Sequence, residues 1–334
     1  MIPAVSVLLP VRDARRTLPA CLRSLLSQTL QDHEVVAVDD GSTDGSGEIL
    51  EAWARRDTRV RVTRTPPRGL VAALNTAAGL ARAGYLARMD ADDVARPERL
   101  ALQAARLAAD PATAILGCRV RLVGGPRGGN AGMRAYVRWL NGLLDHEAIA
   151  RDLLVESPLA HPSVMMRASA LVALRGYRDF DGPEDYDLWL RAHRAGLRFA
   201  KLEQSLLLWR DGPRRLTRRD PRYAAERFQA LKLAALLAGP LRGERRVVIW
   251  GAGPIGKGWA RLLGVPRVAA FVEVAPRRIG QTIHGAPVVE VAAALRWPGS
   301  LHLAAVGQPG ARARIREESR GLGLVEGRDL VAVA

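Results

Sequence analysis

The interpretation of this chain depends on Gly84-Tyr85-Leu86-Ala87-Arg88-Met89-Asp90-Ala91-Asp92-Asp93, in which a short apolar segment leads directly into three carboxylates. A short, mostly apolar segment is typical of a strand inside an α/β sheet. Carboxylates this close repel one another unless a positive group lies between them, and divalent cations prefer carboxylate oxygens. At the end of a parallel strand, such a cation would lie where open α/β sheets bind ligands. The alternative is a solvated acidic turn before the helix predicted to begin near Pro97.

Residues upstream of this stretch predict a mostly parallel sheet. Val5 to Pro10 is predicted to form a buried strand, and Glu34 to Val38 a second strand that ends in Asp39-Asp40-Gly41-Ser42-Thr43-Asp44. An acid at a strand end can hydrogen-bond a base or a ribose, which favours a nucleotide pocket. An ordinary strand-to-helix turn with good capping residues has the same composition. Strands and helices alternate over the first hundred residues, as in α/β proteins.

Two later segments carry further chemistry. Glu184 and Asp185 begin a predicted helix whose next residues, Leu188 to Leu190, are too apolar for a solvated face. A carboxylate there can act as a general base, although acids also stabilise a helix N-terminus without any catalysis. The basic loop that includes Arg210 and Arg215 would suit a diphosphate through bidentate contacts, and a solvated basic face is the alternative.

A lone histidine, His161, precedes a proline in a segment that is predicted to form a strand through Met166. Such a histidine could contact the substrate, but a structural role is the stronger expectation, because one isolated histidine is weak support for a site.

The composition limits the classes of function. The chain has 334 residues, which suggests two domains, and a net charge of +16, which favours an anionic partner such as a nucleotide diphosphate or an acidic lipid. No nucleic-acid partner is predicted, because aromatic residues make up only 5% and no zinc or RNA-binding pattern occurs. No apolar run approaches the length of a membrane span and the two cysteines lie in apolar contexts. We therefore expect a cytoplasmic protein, compatible with peripheral association at the inner face of a membrane.

Together these segments resemble the family 2 glycosyltransferases, whose catalytic domain has the GT-A fold. The resemblance covers roughly residues 3–213 and rests on motifs in the order of that family: Val5-Ser6-Val7-Leu8-Leu9-Pro10, Asp39-Asp40-Gly41-Ser42-Thr43-Asp44, Leu74-Asn75 with Tyr85, Met89-Asp90-Ala91-Asp92-Asp93 with Pro97-Glu98-Arg99, His161-Pro162-Ser163, and Glu184-Asp185-Tyr186-Asp187-Leu188-Trp189. The order of the motifs makes the resemblance far more specific than any one of them.

The resemblance implies transfer of a sugar from a nucleotide-diphosphate sugar, with a UDP-sugar as the expected donor, and inversion at the anomeric carbon. It places these residues at the donor nucleotide: Pro10, Val11, Asp39, Asp40, Arg68, Asp90 and Ala91. The expected acceptor is a saccharide or a lipid-linked sugar.

The resemblance also implies a metal and a base. Asp92, followed by Asp90, would bind Mn²⁺ or Mg²⁺, and Asp185, with Glu184 beside it, would deprotonate the acceptor hydroxyl. The sequence departs from the family at Val11-Arg12-Asp13, where many members carry an aromatic residue and an Asn. It departs again at Trp209-Arg210-Asp211, where a histidine often follows the Arg, so a metal ligand from that loop is in doubt.

A second alternation of strands and helices begins near residue 243. Arg246 to Trp250 leads into Gly251-Ala252-Gly253-Pro254-Ile255-Gly256, a G-x-G-x-x-G pattern between a strand and a helix. Glu273 follows Gly253 by twenty residues, where a Rossmann unit places its ribose-binding acid. We expect either a nucleotide in this C-terminal domain, held by Gly251, Gly253, Gly256 and Glu273, or a structural domain that retains a glycine turn.

The sequence therefore predicts an α/β protein with three parts: a GT-A nucleotide-diphospho-sugar transferase domain over 1–213, a helical linker over 214–242, and a small Rossmann-like α/β domain over 243–334. The predicted activity is a metal-dependent glycosyltransferase of the hexosyltransferase type. Two alternatives remain: a nucleotide-binding oxidoreductase that uses the C-terminal domain, and a sugar-nucleotide-binding scaffold without catalysis. The paired acids argue against the first, because hydride transfer requires none of them.

Overall fold

A computed structural model describes residues 2–124, 130–212 and 215–334 of the chain. The chain forms two compact units, the first comprising residues 1–149 and 158–224 and the second residues 150–157 and 225–334. The predicted domain boundary at residues 213 and 214 lies outside the described residues. The predicted division into a transferase domain, a linker and a C-terminal domain at residues 213 and 242 stays a prediction.

An eight-stranded mixed sheet organises the first unit, in the order β3-β2-β1-β4-β7-β6-β8-β5. Its strands are β1 (Val5–Val11), β2 (His33–Asp40), β3 (Val60–Thr65), β4 (Tyr85–Arg88), β5 (Val94–Ala95), β6 (Thr113–Val123), β7 (Met165–Arg167) and β8 (Arg198–Arg210). Strands β1 to β4 are mutually parallel where they pair, whereas β7 runs antiparallel to both β4 and β6. The carboxyl ends of β1, β2 and β4 therefore lie side by side.

Nine helices accompany this sheet in the described part of the first unit: α1 (Leu18–Leu26), α2 (Ser46–Ala54), α3 (Leu70–Leu80), α4 (Arg99–Ala109), α5 (Ala131–Gly142), α6 (His146–Arg151), α7 (Ala168–Ala173), α8 (Glu184–Arg194) and α9 (Leu216–Arg219). Strands β1 and β2 are buried along their whole length, and β1 and the middle of β2 are mostly apolar, as central strands of a sheet covered on both faces should be. The predicted strand over His161–Met166 is wrong in its first half. His161–Ser163 forms a single 3₁₀ turn, because Pro162 fits the first turn of a helix and has no N–H for a sheet ladder.

Buried polar side chains hold the loops of the first unit. Arg99, fully buried, donates to the carbonyl of Arg88 at 2.7 Å and to Gln103 Oε1 at 3.1 Å, which joins α4 to the end of β4. Lys201, also buried, donates to the main-chain carbonyls of Leu140 and Pro158. Burial lowers the pKa of Lys201 to about 7.

The second unit contains a six-stranded sheet in the order β11-β12-β10-β9-β13-β14. Its elements are α10 (Ala225–Ala238), β9 (Val247–Trp250), α11 (Pro254–Leu263), β10 (Val268–Val272), β11 (Thr282–Ile283), β12 (Ala286–Val289), β13 (Leu301–Ala304), α12 (Ala311–Gly321) and β14 (Leu330–Ala332). All strand pairs are parallel except β11 with β12. The order around β9 confirms the predicted Rossmann-like α/β domain.

Residues 150–157 contribute a buried charge to the second unit. The Asp152 carboxylate, 3% exposed, forms ion pairs with Arg312 and Arg316 of α12. The carbonyl of Val155 accepts a hydrogen bond of 2.6 Å from the buried Lys232 of α10. This short segment is therefore held by several of the longer elements of the unit.

Within the described ranges, none of the helices combines the length and the apolar character needed to cross a bilayer.

Candidate active site

Three carboxylates converge just beyond the end of β4. Asp90, Asp92 and Asp93 each present an oxygen, and these oxygens all lie within 4.8 Å of one another. The turn is closed by a hydrogen bond of 3.2 Å from the N–H of Asp93 to the carbonyl of Asp90. One oxygen of Asp93, Oδ2, is buried and has no hydrogen-bond partner. A hard cation with oxygen ligands fits this donor set.

The pKa shifts of these carboxylates also favour a bound cation. Burial raises the pKa of Asp92 to about 6, and the charge of Asp90 adds to the rise while Arg88 opposes it. Burial, Asp90 and Asp92 hold the pKa of Asp93 well above its usual range. The buried guanidinium of Arg88 lies 2.5 Å from Asp90 Oδ2 and neutralises part of the negative charge. The remaining repulsion would be relieved by a bound cation.

Strand β8 is fastened to this cluster. The N–H of Arg210 donates to Asp93 Oδ1 at 2.7 Å, and its guanidinium donates to the carbonyl of Asp92 at 2.9 Å. Arg215 lies over the ring of Trp209 at 4.3 Å and lowers the pKa of Asp92 through its charge. Of the two arginines predicted at a diphosphate, Arg210 thus holds the acidic turn, whereas Arg215 is close enough to act on it electrostatically.

The predicted nucleoside residues lie at the ends of β1 and β2. Pro10 and Val11 end β1 opposite Val38 and Asp39. Both oxygens of the buried Asp40 accept main-chain hydrogen bonds, from Arg68 at 2.7 Å and from Gly69 at 2.9 Å, so this carboxylate holds the start of α3. These bonds bring the exposed residue 68 to the end of β2.

Further ion pairs reinforce this edge of the sheet. Arg12 lies 3.2 Å from Asp40, and Arg64 lies 3.3 Å from the buried Asp39. Asp39 Oδ1 also accepts the N–H of Ser42 at 3.0 Å, which fixes the turn after β2. Arg12 occupies one of the positions where the sequence departs from the family. The departure places a cation beside the Asp40 carboxylate.

A buried hydrogen-bond network surrounds the first turn of α8. His161 Nε2 lies 3.0 Å from the Tyr177 hydroxyl, and His161 Nδ1 lies 3.5 Å from Glu184 Oε1. Tyr223 donates a hydrogen bond of 2.5 Å to Glu184 Oε2. Asp185 is half-buried beside this network, and its Oδ1 accepts the N–H of Tyr186 at 2.7 Å.

The charges in this network follow from its contacts. Burial and the nearby Arg88 lower the pKa of His161, although Glu184 opposes them, and the lowered pKa favours the neutral imidazole. Burial acts to raise the pKa of Glu184, but hydrogen bonds from His161 and Tyr223 hold it below its usual value. An ionised Glu184 only accepts hydrogen bonds, so His161 donates from Nδ1 and accepts the Tyr177 O–H at Nε2.

Asn75 of α3 positions Tyr177. Its amide donates to the Tyr177 carbonyl at 2.9 Å, and its oxygen accepts the Tyr177 N–H at 2.9 Å. Gly176 precedes Tyr177 with φ of +74°, and a Cβ there would lie only 2.7 Å from Asn75 Oδ1. Arg191 of α8 donates to the carbonyls of Leu174 and Gly176 at 2.6 and 3.0 Å. Helices α3 and α8 thus fix the loop that carries Tyr177.

Sequence reasoning missed several residues of this site. Arg88 could have been found as the one cation inside an apolar strand. Asp93 was included in the acidic cluster but was given no role at the metal. Tyr177 and Tyr223 belong to none of the motifs, so no local pattern indicates them. His161 was identified, and the structure gives it a buried place in the network.

The C-terminal residues predicted at a nucleotide also lie together. Gly251 has φ of +109°, and a Cβ there would lie 2.4 Å from Val306. A Cβ at Gly256 would lie 1.9 Å from the Gly251 carbonyl, whereas a Cβ at Gly253 would meet only Arg278, at 4.0 Å. The Glu273 carboxylate accepts the Ala252 N–H at 3.3 Å, which places this acid against the glycine turn.

Comparison with known proteins identifies relatives of the first unit. The model of the family described as Glycosyl transferase family 2 matches residues 6–174. EpsE of Bacillus subtilis (strain 168), whose name places it among the glycosyltransferases, is 31% identical over 229 residues, which are 67% of this chain and 79% of EpsE. The chondroitin synthase of Escherichia coli is 29% identical over 196 residues, 58% of this chain but only 27% of that enzyme.

Solved structures share the fold. S. aureus TarS 1-349 in complex with UDP has a TM-score of 0.53 at 19% identity, over 70% of this chain and 65% of that one. The mannosyltransferase PcManGT from Pyrobaculum calidifontis, in complex with GDP-Man and Mn²⁺, has a TM-score of 0.51 at 20% identity, over 80% of this chain and 82% of that one. These similarities confirm the predicted GT-A fold.

Proposed function

The chain belongs to the glycosyl transferase family 2, and we propose that it transfers a sugar from a nucleotide-diphosphate sugar to a saccharide or lipid-linked acceptor with inversion at the anomeric carbon. A UDP-sugar is the proposed donor. This choice is supported by the structural neighbour TarS, which has been crystallised with UDP and with UDP-GlcNAc.

The observation that carries the proposal is the convergence of Asp90, Asp92 and Asp93 at the end of β4, near enough to the network of α8 for Asp90 and Arg88 to act electrostatically on His161. We propose that Asp92 and Asp90 hold Mn²⁺ or Mg²⁺, since their oxygens suit a hard cation. The cation, when bound, neutralises the diphosphate that leaves. Asp93 positions the main chain of Arg210 through Oδ1, and its partnerless Oδ2 would add a third oxygen beside the two ligands.

The proposed base is Asp185. Both oxygens of Glu184 already have partners, Tyr223 and His161, so Glu184 is assigned a positioning role at the start of α8. Asp185 lies in the same turn and is only half-buried, which leaves part of its side chain accessible to a substrate. It would take the proton of the acceptor hydroxyl while that oxygen attacks the anomeric carbon from the face opposite the diphosphate. The bond from the anomeric carbon to the diphosphate oxygen breaks, and the diphosphate leaves with the electron pair.

The donor nucleoside is assigned to the ends of β1 and β2. Pro10 and Val11 would line the base, with Ala91 and Asp90 at the far side of the pocket. Asp40, which follows Asp39 on β2, already holds the main chain of Arg68 and Gly69, and its remaining acceptor capacity would take a hydrogen bond from the base or ribose. Arg215 is the better placed of the two arginines for the diphosphate, since its charge already acts on Asp92.

The test is donor turnover with a matched pair of variants. Asp92→Asn removes one carboxylate of the cluster, and Glu203→Gln makes the same chemical change at an exposed position on β8. Wild type and Glu203→Gln should hydrolyse or transfer from a UDP-sugar in a Mn²⁺-dependent way, and chelation should abolish the activity. Asp92→Asn should lose at least a hundredfold in kcat/KM, about 2.7 kcal/mol of transition-state stabilisation. Equal activity of the two variants would contradict the metal assignment.

A second variant separates catalysis from binding. Asp185→Asn should bind the donor as tightly as wild type does while kcat falls by roughly two to four orders of magnitude, which is the range for loss of a general base. Product analysis by NMR checks inversion. Donor binding without any turnover in the wild type would favour the scaffold, and a response to NAD alone would favour the oxidoreductase.

A further inference from the structure

A cavity of about 880 Å³ lies in the second unit, at the carboxyl ends of β9, β10 and β13. The chain passes from β9 to β10 and β12 on one side of β9 and then crosses over to β13 and β14 on the other side. The cavity therefore lies at the point where the strand order reverses. Ligands of open α/β sheets bind in this crevice, and small-molecule sites commonly measure about 300–1,000 Å³.

Glycines shape one wall of the cavity for a close ligand. Gly251 makes a turn that L side chains adopt with strain, and Gly256 lets α11 approach that turn, since a Cβ at either position would collide with the protein. Gly253 has a different role, because its backbone is extended and a Cβ there would meet no atom closer than 4.0 Å. The space in front of Gly253 can therefore admit a ligand.

Groups of both charges line that space, and the positive ones outnumber the two carboxylates, Glu273 and Glu318. The first residues of α11 and of α12 both line the cavity, and helix N-termini carry unpaired N–H groups and partial positive charge. Arg277, Arg278 and Arg314 also line it. Two helix N-termini and three arginines around a single cavity suit a diphosphate.

Glu273 holds this wall in place. Its carboxylate accepts N–H groups from Ala252 at 3.3 Å, Val274 at 2.9 Å and Ala275 at 3.2 Å, and the Arg278 guanidinium at 2.8 Å. Four donors use the acceptor capacity of a carboxylate. Glu273 therefore positions the glycine turn and Arg278. Because its oxygens are occupied, it is poorly suited to accept the hydroxyl groups of a ribose, which argues against a dinucleotide such as NAD.

We propose that this cavity is a second nucleotide site that binds a nucleoside diphosphate, free or as part of a nucleotide sugar, through its phosphates. The described residues that line the cavity include no His, Cys, Lys, Tyr or Ser, so the site lacks a proton-transfer group other than its carboxylates. The proposal is independent of the activity assigned to the first unit.

Calorimetric titration of the full chain in EDTA tests the proposal, because chelation removes the cation that is proposed to hold the donor at the first unit. UDP, a UDP-sugar and NAD⁺ are the three probes, and they distinguish a free diphosphate, a nucleotide sugar and a dinucleotide. We expect UDP or the UDP-sugar to bind one site per chain and NAD⁺ to bind at least tenfold more weakly. No binding of the uridine probes, or tighter binding of NAD⁺, would overturn the proposal.

Two matched pairs of variants test whether the nucleotide binds in this cavity. Gly253→Val fills the space in front of the glycine turn, whereas Gly258→Ala alters the same helix where a Cβ meets nothing within 4 Å. Arg314→Gln removes a cavity arginine, and Arg320→Gln removes an exposed arginine of α12 outside the cavity. Gly253→Val and Arg314→Gln should each weaken binding at least tenfold, with less than a twofold effect of their controls.

Unchanged affinity in both cavity variants would show that the nucleotide binds elsewhere and would overturn the proposal. Failure of the glycosyltransferase assignment has a different signature. Mn²⁺-dependent turnover would then be missing from the wild type while binding in EDTA and its loss in Gly253→Val would both remain.

Discussion

Replacing Glu34 by Gln should destabilise the first unit strongly near neutral pH. Glu34 is buried on β2, and its Oε1 accepts a hydrogen bond of 2.6 Å from Ser6 Oγ and one of 2.9 Å from the Arg82 N–H. Its Oε2 accepts from the side chains of Arg82 at 2.8 Å and Arg61 at 2.9 Å. The Gln side chain keeps one acceptor oxygen but places an NH₂ group, which is a donor, against two guanidinium donors.

The magnitude follows from the pKa of Glu34. Burial acts to raise it, but the hydrogen bonds from Ser6, Arg82 and Arg61 lower it from 4.5 to about 2. Each pKa unit corresponds to about 1.4 kcal/mol, so the shift is equivalent to about 3 kcal/mol. Both arginines are more than one third exposed, so solvent screening reduces the expected loss in Glu34→Gln to about 2 kcal/mol at pH 7.

The lowered pKa of Glu34 also predicts how the loss of stability in Glu34→Gln changes with pH. The pKa is lower in the folded state than in the unfolded state, so the stabilisation is complete above the unfolded value of 4.5 and is lost as the pH falls toward about 2. Urea denaturation of the full chain at pH 7, 4 and 3 should therefore show the difference between wild type and Glu34→Gln shrinking with acid. Hydrogen–deuterium exchange of peptides from β1 and β2 reports the first unit separately.

Glu203→Gln, which changes an exposed carboxylate, is the matched control and should alter the free energy of unfolding by less than about 0.5 kcal/mol at every pH. The reasoning would be refuted if Glu34→Gln lost as little as this control at pH 7. A loss of the same size at pH 3 and pH 7 would also refute it, because the effect would then come from packing and not from ionisation.

Three further predictions concern polar side chains held by hydrogen bonds. Tyr223→Phe removes the hydroxyl that donates to Glu184 and should lower kcat about tenfold or more with little change in the donor KM, measured by initial rates of transfer. Asn75→Ala removes both hydrogen bonds to the Tyr177 main chain and should lower the free energy of unfolding by about 1–3 kcal/mol in denaturant titration, more than Asn75→Asp, which keeps the acceptor. Lys201 has a pKa of about 7 in the fold and 10.5 outside it, so the unfolded chain binds more protons between these values and stability should rise with pH across that range. Lys201→Met should remove this rise, and a variant that keeps it would contradict the assignment.

The fold was predictable where its pattern is local. The apolar runs of β1 and β2 and the acids that follow them predicted a parallel sheet with its polar residues at one edge, and the register of Val11 opposite Asp39 agrees with this. The G-x-G-x-x-G turn predicted the second sheet from an equally local pattern, and Gly251 and Gly256 stand where a Cβ would collide with the protein.

Other parts depend on contacts that no local pattern encodes. The two-residue strand β5 exists through its pairing with β8, more than a hundred residues later. Glu184 begins a helix as predicted, but its hydrogen bond comes from Tyr223, 39 residues away. The roles assigned to Asp92, Asp185 and the donor residues stay predictions, because they concern molecules that the sequence does not contain.

The eight-residue segment 150–157 limits how this gene can be divided. A product truncated at Ala224 would retain Asp152 but lose its partners Arg312 and Arg316. A separately expressed fragment 225–334 would contain the two arginines but lack Asp152. Recombination at a single C-terminal junction therefore cannot exchange the second unit cleanly between relatives. A functional chimera would have to carry residues 150–157 and 225–334 from the same parent, as two inherited pieces of one unit.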